Sequence, residues 1–529
     1  MWFTLLGTRP LFRPDEGRYA EIPREMVASG DWLVPHLNGL VYIEKPPLQY
    51  WVTAGFFRVL GTEPWVARLA PALSAALGVV LLGWAARRLW GPGTAAVACA
   101  ACASAPLYFL VGQQLTLDML FTFFLTAAVA TFCVGQSVRA DRARCRRWMM
   151  LSWAAIACAV MTKGIAALAI PALVLIAYSV WQKDVRVWDS SYLGLGLGLC
   201  LVLVAPWFIA ISRAVPGFGE FFFIHEHLLR YTTLSADRYE PWWFFIAILL
   251  VGTAPWLPQI VTAWRTRNDH HVARGDFDAR RVLWVWAAVV LFFFSASKSK
   301  LVPYVLPIVP VMALLIAGSK AESSGRNARL SALITLATAA AVGIGLMAYS
   351  LRAHEEKQRA LADLATPGFI AVALLLALSG IAGLLLMRKL GARASLASIA
   401  IGWFSAGAVI VGWAAAAAGP LYSSESMARS IATRVPAPRH IYSVNYYEQT
   451  LPFYLGRTID LVDFRGELDF GLGLDPARVI TLDEFRKRWQ GETDACAMMS
   501  REAYQRLVDS ALPMTVIERD LHYVLVGRQ

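Results

Sequence analysis

A small set of ionisable side chains stands where an otherwise apolar chain gives no structural reason for them. Asp15 and Glu16 lie near the start of a polar stretch, residues 9–51, and Glu44–Lys45–Pro46–Pro47 lies near its end. Asp118 opens an apolar run, and Lys45, Lys163, Arg230, Lys298 and Lys300 sit at the ends of others. Carboxylates so placed can bind a metal, orient a hydroxyl or an amine, or act as a base. Convergent cations hold an anion and neutralise charge that grows on a phosphate leaving group. The plainer readings are helix caps for Asp15 and Asp118 and snorkelling for any single cation. Five cations at one level ask for more than snorkelling.

A second polar stretch, residues 213–241, carries His225, Glu226, His227 and Arg230 after the aromatic run Phe221–Phe223. On a strand both histidines would face one way; on a helix they lie about 200° apart and do not share a metal. One of them with Glu44 makes a partial divalent-cation site, against the plain alternative of a surface histidine. Cys99-x-x-Cys102 has no second pair and lies in an Ala-rich run, so it does not read as a metal motif.

These residues must be positioned by membrane helices. The chain has 529 residues, 57% hydrophobic and 16% charged, with a mean hydropathy of +0.51. That balance excludes an ordinary soluble enzyme and fits a polytopic membrane protein. Apolar runs fall at roughly 65–86, 94–111, 118–138, 148–162, 164–182, 191–212, 242–264, 282–296, 301–318, 329–351, 367–387 and 395–418. Met1–Thr8 is apolar but short, and reads as the last turns of one further span. Residues 50–60 read as an aromatic-rich helix lying on the membrane. With residues 9–51 placed outside, every predicted inner loop is basic, among them Arg142, Arg146 and Arg147, then Arg280 and Arg281, then Arg388 and Lys389. The positive-inside rule therefore explains the net charge of +12 without nucleic acid. Residues 9–64, 213–241 and 420–529 share the outer face, which in a bacterium is the periplasm. The five cations then stand at the outer interface, at the depth of a polyprenyl phosphate headgroup. A transporter or flippase would instead place ionisable residues in mid-span. Residues 1–419 thus read as the transmembrane domain, and 420–529 as a small α/β domain with strands near 440–446, 458–463, 479–482 and 514–526. The Gly-rich GELDFGLGLD within it reads as a loop.

The stretch RPDEGRYAEIPREM, a W-x-x-P that follows it, YIEKPPLQYW, and the charged outer loop at 213–241 resemble the C-superfamily glycosyltransferases. More narrowly, the sequence resembles the bacterial lipid A 4-amino-4-deoxy-L-arabinose transferases, kin to the protein O-mannosyltransferases. The resemblance covers the chain in layout and is most specific in residues 9–51. It implies a polytopic α-helical membrane protein of about thirteen spans in the bacterial inner membrane, expected as a monomer, with its site facing the periplasm. The implied donor is undecaprenyl phosphate-linked aminoarabinose and the implied acceptor a lipid A phosphate, with polymyxin-type resistance as the outcome. Another sugar or a protein Ser/Thr acceptor is the alternative. By resemblance Asp15, beside Glu16, and Asp118 are the acidic positions, and Lys45 and Arg230 hold the donor phosphate with help from Tyr304. Tyr42 and Lys163 line the cavity, and Glu44 with His225 match a zinc-type site.

Overall fold

The computed structural model describes residues 2–229, 240–269, 272–319, 321–352, 356–435, 439–492, 494–520 and 522–528. The polar stretch folds into helix α1 (Asp15–Ser29), a hairpin of β1 (His36–Leu37) and β2 (Leu40–Val41), and helix α2 (Leu48–Leu60). Gly30 ends α1 in the left-handed conformation at φ 75°, a common helix stop. Asn38 and Gly39 turn the hairpin at φ 55° and 72°, the pair of left-handed residues a two-residue hairpin loop requires.

Among the described residues, eight helices are long and apolar enough to cross a bilayer, or ten if each of two bent pairs is one crossing. They include α3 (Leu117–Ser137) and α5 (Leu193–Ala214). The runs expected at 94–111 and 242–264 are not straight: they bend by 68° before Pro106 and by 77° before Pro255. Proline has no N–H to continue the helical ladder, so each break has a covalent cause. The runs at 148–162 and 164–182 are α4 (Arg142–Lys163) and the 17-residue helix Ala166–Gln182. Residues 2–8 form turns rather than the end of a helix. Trp2 anchors them, edge-on to Phe109 at 5.0 Å and tilted against Phe404 at 5.7 Å.

The C-terminal part is a five-stranded mixed sheet of β3 (His440–Val444), β4 (Asp460–Val462), β5 (Ala495–Ser500), β6 (Thr515–Arg519) and β7 (Tyr523–Gly527), in the order β4-β3-β5-β7-β6. β3 is parallel to β4 and β5, and β7 is antiparallel to β5 and β6. The run expected at 514–526 is a hairpin of two strands, and that at 479–482 gives only a bridge from Ile480 to Val462. GELDFGLGLD is a turn of 3-10 helix followed by the short helix Asp469–Leu474, not a loop.

Alternation along these strands divides the sheet. Tyr442, Val444, Ala497, Met499, Val524 and Val526 face the helices that carry Phe485, Trp489 and Leu507. Ile441, Leu461, Cys496, Met498 and Leu525 face the other way, into one core with Tyr19, Ile22, Met26, Leu37 and Tyr50 of the first loop. The C-terminal sheet and residues 11–57 therefore bury their apolar faces against each other.

Candidate functional site

The adjacent acids Asp15 and Glu16 have different fates. Glu16 is buried and accepts from Arg9 at 2.6 and 2.9 Å and from Arg68 at 2.9 and 2.8 Å. It also accepts from the backbone N–H groups of Phe12 (2.9 Å) and Leu115 (3.1 Å). Burial alone would raise its pKa, but Arg68 and Arg9 outweigh that and hold it far below the carboxylate range. A carboxylate with two arginines and two amides on it has no lone pair left for substrate. Glu16 is thus the knot that ties the start of the polar loop to the spans, a correction to its place among the candidate catalytic acids.

One residue earlier on α1, the Asp15 side chain is 47% exposed, with Arg18 at 3.5 Å as its ion-pair partner. Arg18 is buried and also pairs with Glu467 of the C-terminal part and lies 6.0 Å from the Tyr42 ring. Burial opposes the Arg18 charge, but Tyr42 and Glu467 more than offset it, and its pKa is raised. Tyr42 is buried; burial, then Glu44 and Glu467 against the Arg18 cation, keep its hydroxyl protonated. The neighbouring Tyr19 is raised by burial first, and then by the charges of Asp15, Glu44 and Asp118. All three carboxylates thus act on the Tyr19 hydroxyl.

The cations gather at the same end of the helices. Lys163, the last residue of α4, forms an ion pair with Asp118 in the first turn of α3. Its ammonium stands 4.4 Å from the Tyr304 ring centroid and 5.5 Å from that of Phe121. Lys45 donates to the carbonyl of Glu44 at 2.9 Å and to Glu226 at 3.1 Å, so it reaches from the first loop to the 213–229 segment. Lys300 is buried and donates to the carbonyl of Glu240 at 2.9 Å; burial, then Lys298, lowers its pKa. Lys298 is exposed. Arg230 lies outside the described residues.

Glu220–Leu229 is a π-helical turn, so the strand that would align His225 with His227 is not there. The His225 ring stacks on Phe221 at 5.3 Å and stands 3.6 Å from Glu226. Among the described residues no group of three His, Cys, Asp or Glu side chains is placed to hold a metal. Glu44 and His225 by themselves supply two of the ligands that a zinc-type site draws on.

Sequence reasoning missed two parts of this site. Arg18 could have been found, since it lies one helical turn from Asp15. Glu467 and Phe470 could not: they come from the distant GELDFG segment. Phe470 packs on Phe221 at 4.4 Å, and Gly471 lies so close to the hairpin that a Cβ would stand 2.7 Å from the Val41 carbonyl oxygen. The C-terminal part thereby touches both the first loop and the 213–229 segment.

Known proteins resemble this chain in sequence and fold. Residues 7–222 match the dolichyl-phosphate-mannose-protein mannosyltransferase family, and residues 427–528 match the aminoarabinose transferase C-terminal domain. The undecaprenyl phosphate-alpha-4-amino-4-deoxy-L-arabinose arabinosyl transferase of Erwinia tasmaniensis is 32% identical over 511 residues, covering 92% of this chain and 88% of that protein. The chain belongs to the aminoarabinose transferase family. The protein of the same name from Edwardsiella ictaluri is 36% identical over 367 residues, 66% of this chain and 64% of its own length. The crystal structure of ArnT from Cupriavidus metallidurans bound to undecaprenyl phosphate superposes with a TM-score of 0.90 at 33% identity, over 99% of this chain and 95% of that one. Its apo state gives 0.89 at 34% identity. This aminoarabinose transferase relative is accordingly a membrane-spanning glycosyltransferase, and Asp15, Asp118, Lys45, Lys163 and Tyr304 are the groups its fold gathers at one end of the bundle.

Proposed function

We propose that this enzyme transfers 4-amino-4-deoxy-L-arabinose from undecaprenyl phosphate to a phosphate of lipid A, at a site on the periplasmic face of the inner membrane. The observation that carries this reading is the cluster of Lys45, Lys163 and Tyr304 beside Asp15 and Asp118, held by the first loop at the ends of α3 and α4. A phosphate acceptor is anionic at neutral pH, since a phosphate monoester has a second pKa of about 6, so it attacks without a strong base. Its oxygen bonds to the sugar's anomeric carbon. The bond from that carbon to the carrier phosphate breaks, and its electron pair stays with the carrier.

Each side chain then has a defined part. Lys45 and Lys163 exchange their carboxylate partners for the carrier phosphate and neutralise the charge that grows there. Tyr304, under the Lys163 ammonium, fixes its height and offers a hydroxyl to the phosphate. Asp15, the most exposed of these acids, receives the sugar's ammonium group or orients its hydroxyls. A protein Ser or Thr acceptor, which the mannosyltransferase match brings to mind, would need Asp15 as a base instead. Mass spectrometry of lipid A from cells with and without the gene tests the proposal. One added aminopentose per phosphate, absent without the gene, is expected; unchanged lipid A with sugar appearing on protein would overturn it.

A further inference from the structure

At the end of α4 opposite Lys163, a groove of about 520 Å³ opens between α4 and α5. Arg146 and Arg147 stand at its head, and Met150, Leu151, Ala154 and Leu199 line it below. The α4 residues recur every three or four positions, so they form one stripe that runs from charge to hydrocarbon along the helix. Nothing on α5 fills the groove from above: a Cβ on Gly194 or Gly198 would meet no atom within 4 Å. The flanking Leu151, Leu197 and Leu201 are exposed, which marks this wall as lipid-facing.

The charges at the head differ from their neighbours. Arg139 is held by Asp184 at 2.6 Å, Arg144 by Asp141 at 3.1 Å and Arg186 by Asp276 at 2.8 Å. Arg142, Arg146 and Arg147 are exposed, and their side chains make no ion pair or hydrogen bond among the described residues. Arg146 also borders a larger pocket of about 1020 Å³ whose one carboxylate is Asp189. Orienting the protein requires basic residues at this end of the bundle, but it does not require a groove beneath them.

We infer that this groove is a binding site for an anionic glycerophospholipid of the surrounding leaflet. Arg146 and Arg147 fork onto the phosphate, as guanidinium groups do, and one acyl chain lies over Met150, Leu151, Ala154 and Leu199. Asp141 caps the start of α4, its side chain accepting from the Arg144 N–H at 3.1 Å, so the two guanidinium groups rather than the helix end carry the charge of the site. Arg146 and Lys163 lie on the same helix 17 residues apart, which at 1.5 Å each puts the groove's head about 25 Å from Lys163, so this lipid is not the sugar carrier.

Native mass spectrometry of the purified full-length protein with equimolar phosphatidylglycerol and phosphatidylcholine tests the inference. The wild type is expected to retain phosphatidylglycerol about tenfold over phosphatidylcholine, and Arg146→Ala/Arg147→Ala to lose that preference while undecaprenyl phosphate still binds. Ala154→Trp keeps every charge and fills the groove; it is expected to lose the retained phospholipid too, and covers the case in which the double variant does not insert. Equal retention of the two lipids by the wild type, or an unchanged preference in either variant, would overturn the site. Loss of undecaprenyl phosphate from the double variant would also overturn it, since the groove would then belong to the carrier.

Discussion

Two ion clusters lie within one loop of each other, and their difference separates structure from chemistry. In the Arg9–Glu16–Arg68 cluster each carboxylate lone pair is taken and water is excluded. In the Lys45–Glu226 and Lys163–Asp118 pairs each ammonium has, among the described residues, one carboxylate partner. A saturated cluster cannot trade partners without leaving a buried charge bare, which is costly. A lysine with one carboxylate partner can exchange it for a phosphate of the same sign. Counting partners, rather than counting charges, distinguishes the groups that meet substrate.

The largest effects are expected where the two clusters are broken in turn. Glu16→Ala strands two buried arginines and is expected to cost about 3–5 kcal/mol, read as loss of folded protein in detergent-resistant membrane extracts. Lys45→Ala and Asp15→Ala are expected to insert and melt like the wild type while lipid A modification falls about 100-fold or more. Full modification by either variant would remove it from the site. Normal folding of Glu16→Ala would erase the distinction between the clusters.

A smaller effect sharpens the role of the C-terminal part. Glu467→Gln leaves Arg18 facing Asp15 with one charge fewer beside it. Turnover is expected to fall about tenfold, with little change in the donor concentration that half-saturates the enzyme. An unchanged rate would make the GELDFG contact a scaffold only.

A pH dependence tests the same interface. Glu25 is buried beside Glu21 and accepts from the backbone of Gly39; burial, then the Glu21 charge, pushes its pKa from 4.5 up to about 8. An acid whose pKa is raised by folding holds its proton longer in the fold than in the unfolded chain. Its contribution to stability is therefore present at low pH and is lost as pH rises from 4.5 through about 8. Thermal melting is expected to decline over that interval, and Glu25→Gln to flatten the decline. The smallest effect is expected for Lys298→Ala, whose side chain is exposed; activity within about twofold of wild type is the expected result, since surface changes of this kind are usually near neutral.

The membrane architecture was legible because hydropathy and loop charge report directly on solvent. The apolar runs are helices, and the two that bend do so at prolines already visible in the sequence. Asp118 and Lys163 could be placed on one face but not paired: nothing in their spacing shows that the start of α3 meets the end of α4. Asp15 and Glu16 looked equivalent because a dipeptide does not reveal that Arg9 and Arg68 converge on only one of them. β5, ACAMMS, was missed because it is buried on both faces and has no polar–apolar alternation, and its small Ala, Cys and Met residues carry no strong strand preference. The clamp of Glu467 and Phe470 was hidden for the reason all long-range contacts are: its two sides lie more than 200 residues apart, at 221 and 470.

The most direct measurement is binding of undecaprenyl phosphate to the purified protein, comparing wild type with Lys45→Ala and Lys163→Met. If these two lysines hold the carrier phosphate, each variant binds it at least about tenfold more weakly, as the loss of a charge-assisted contact demands. Wild-type affinity in both variants would contradict the assignment of the site.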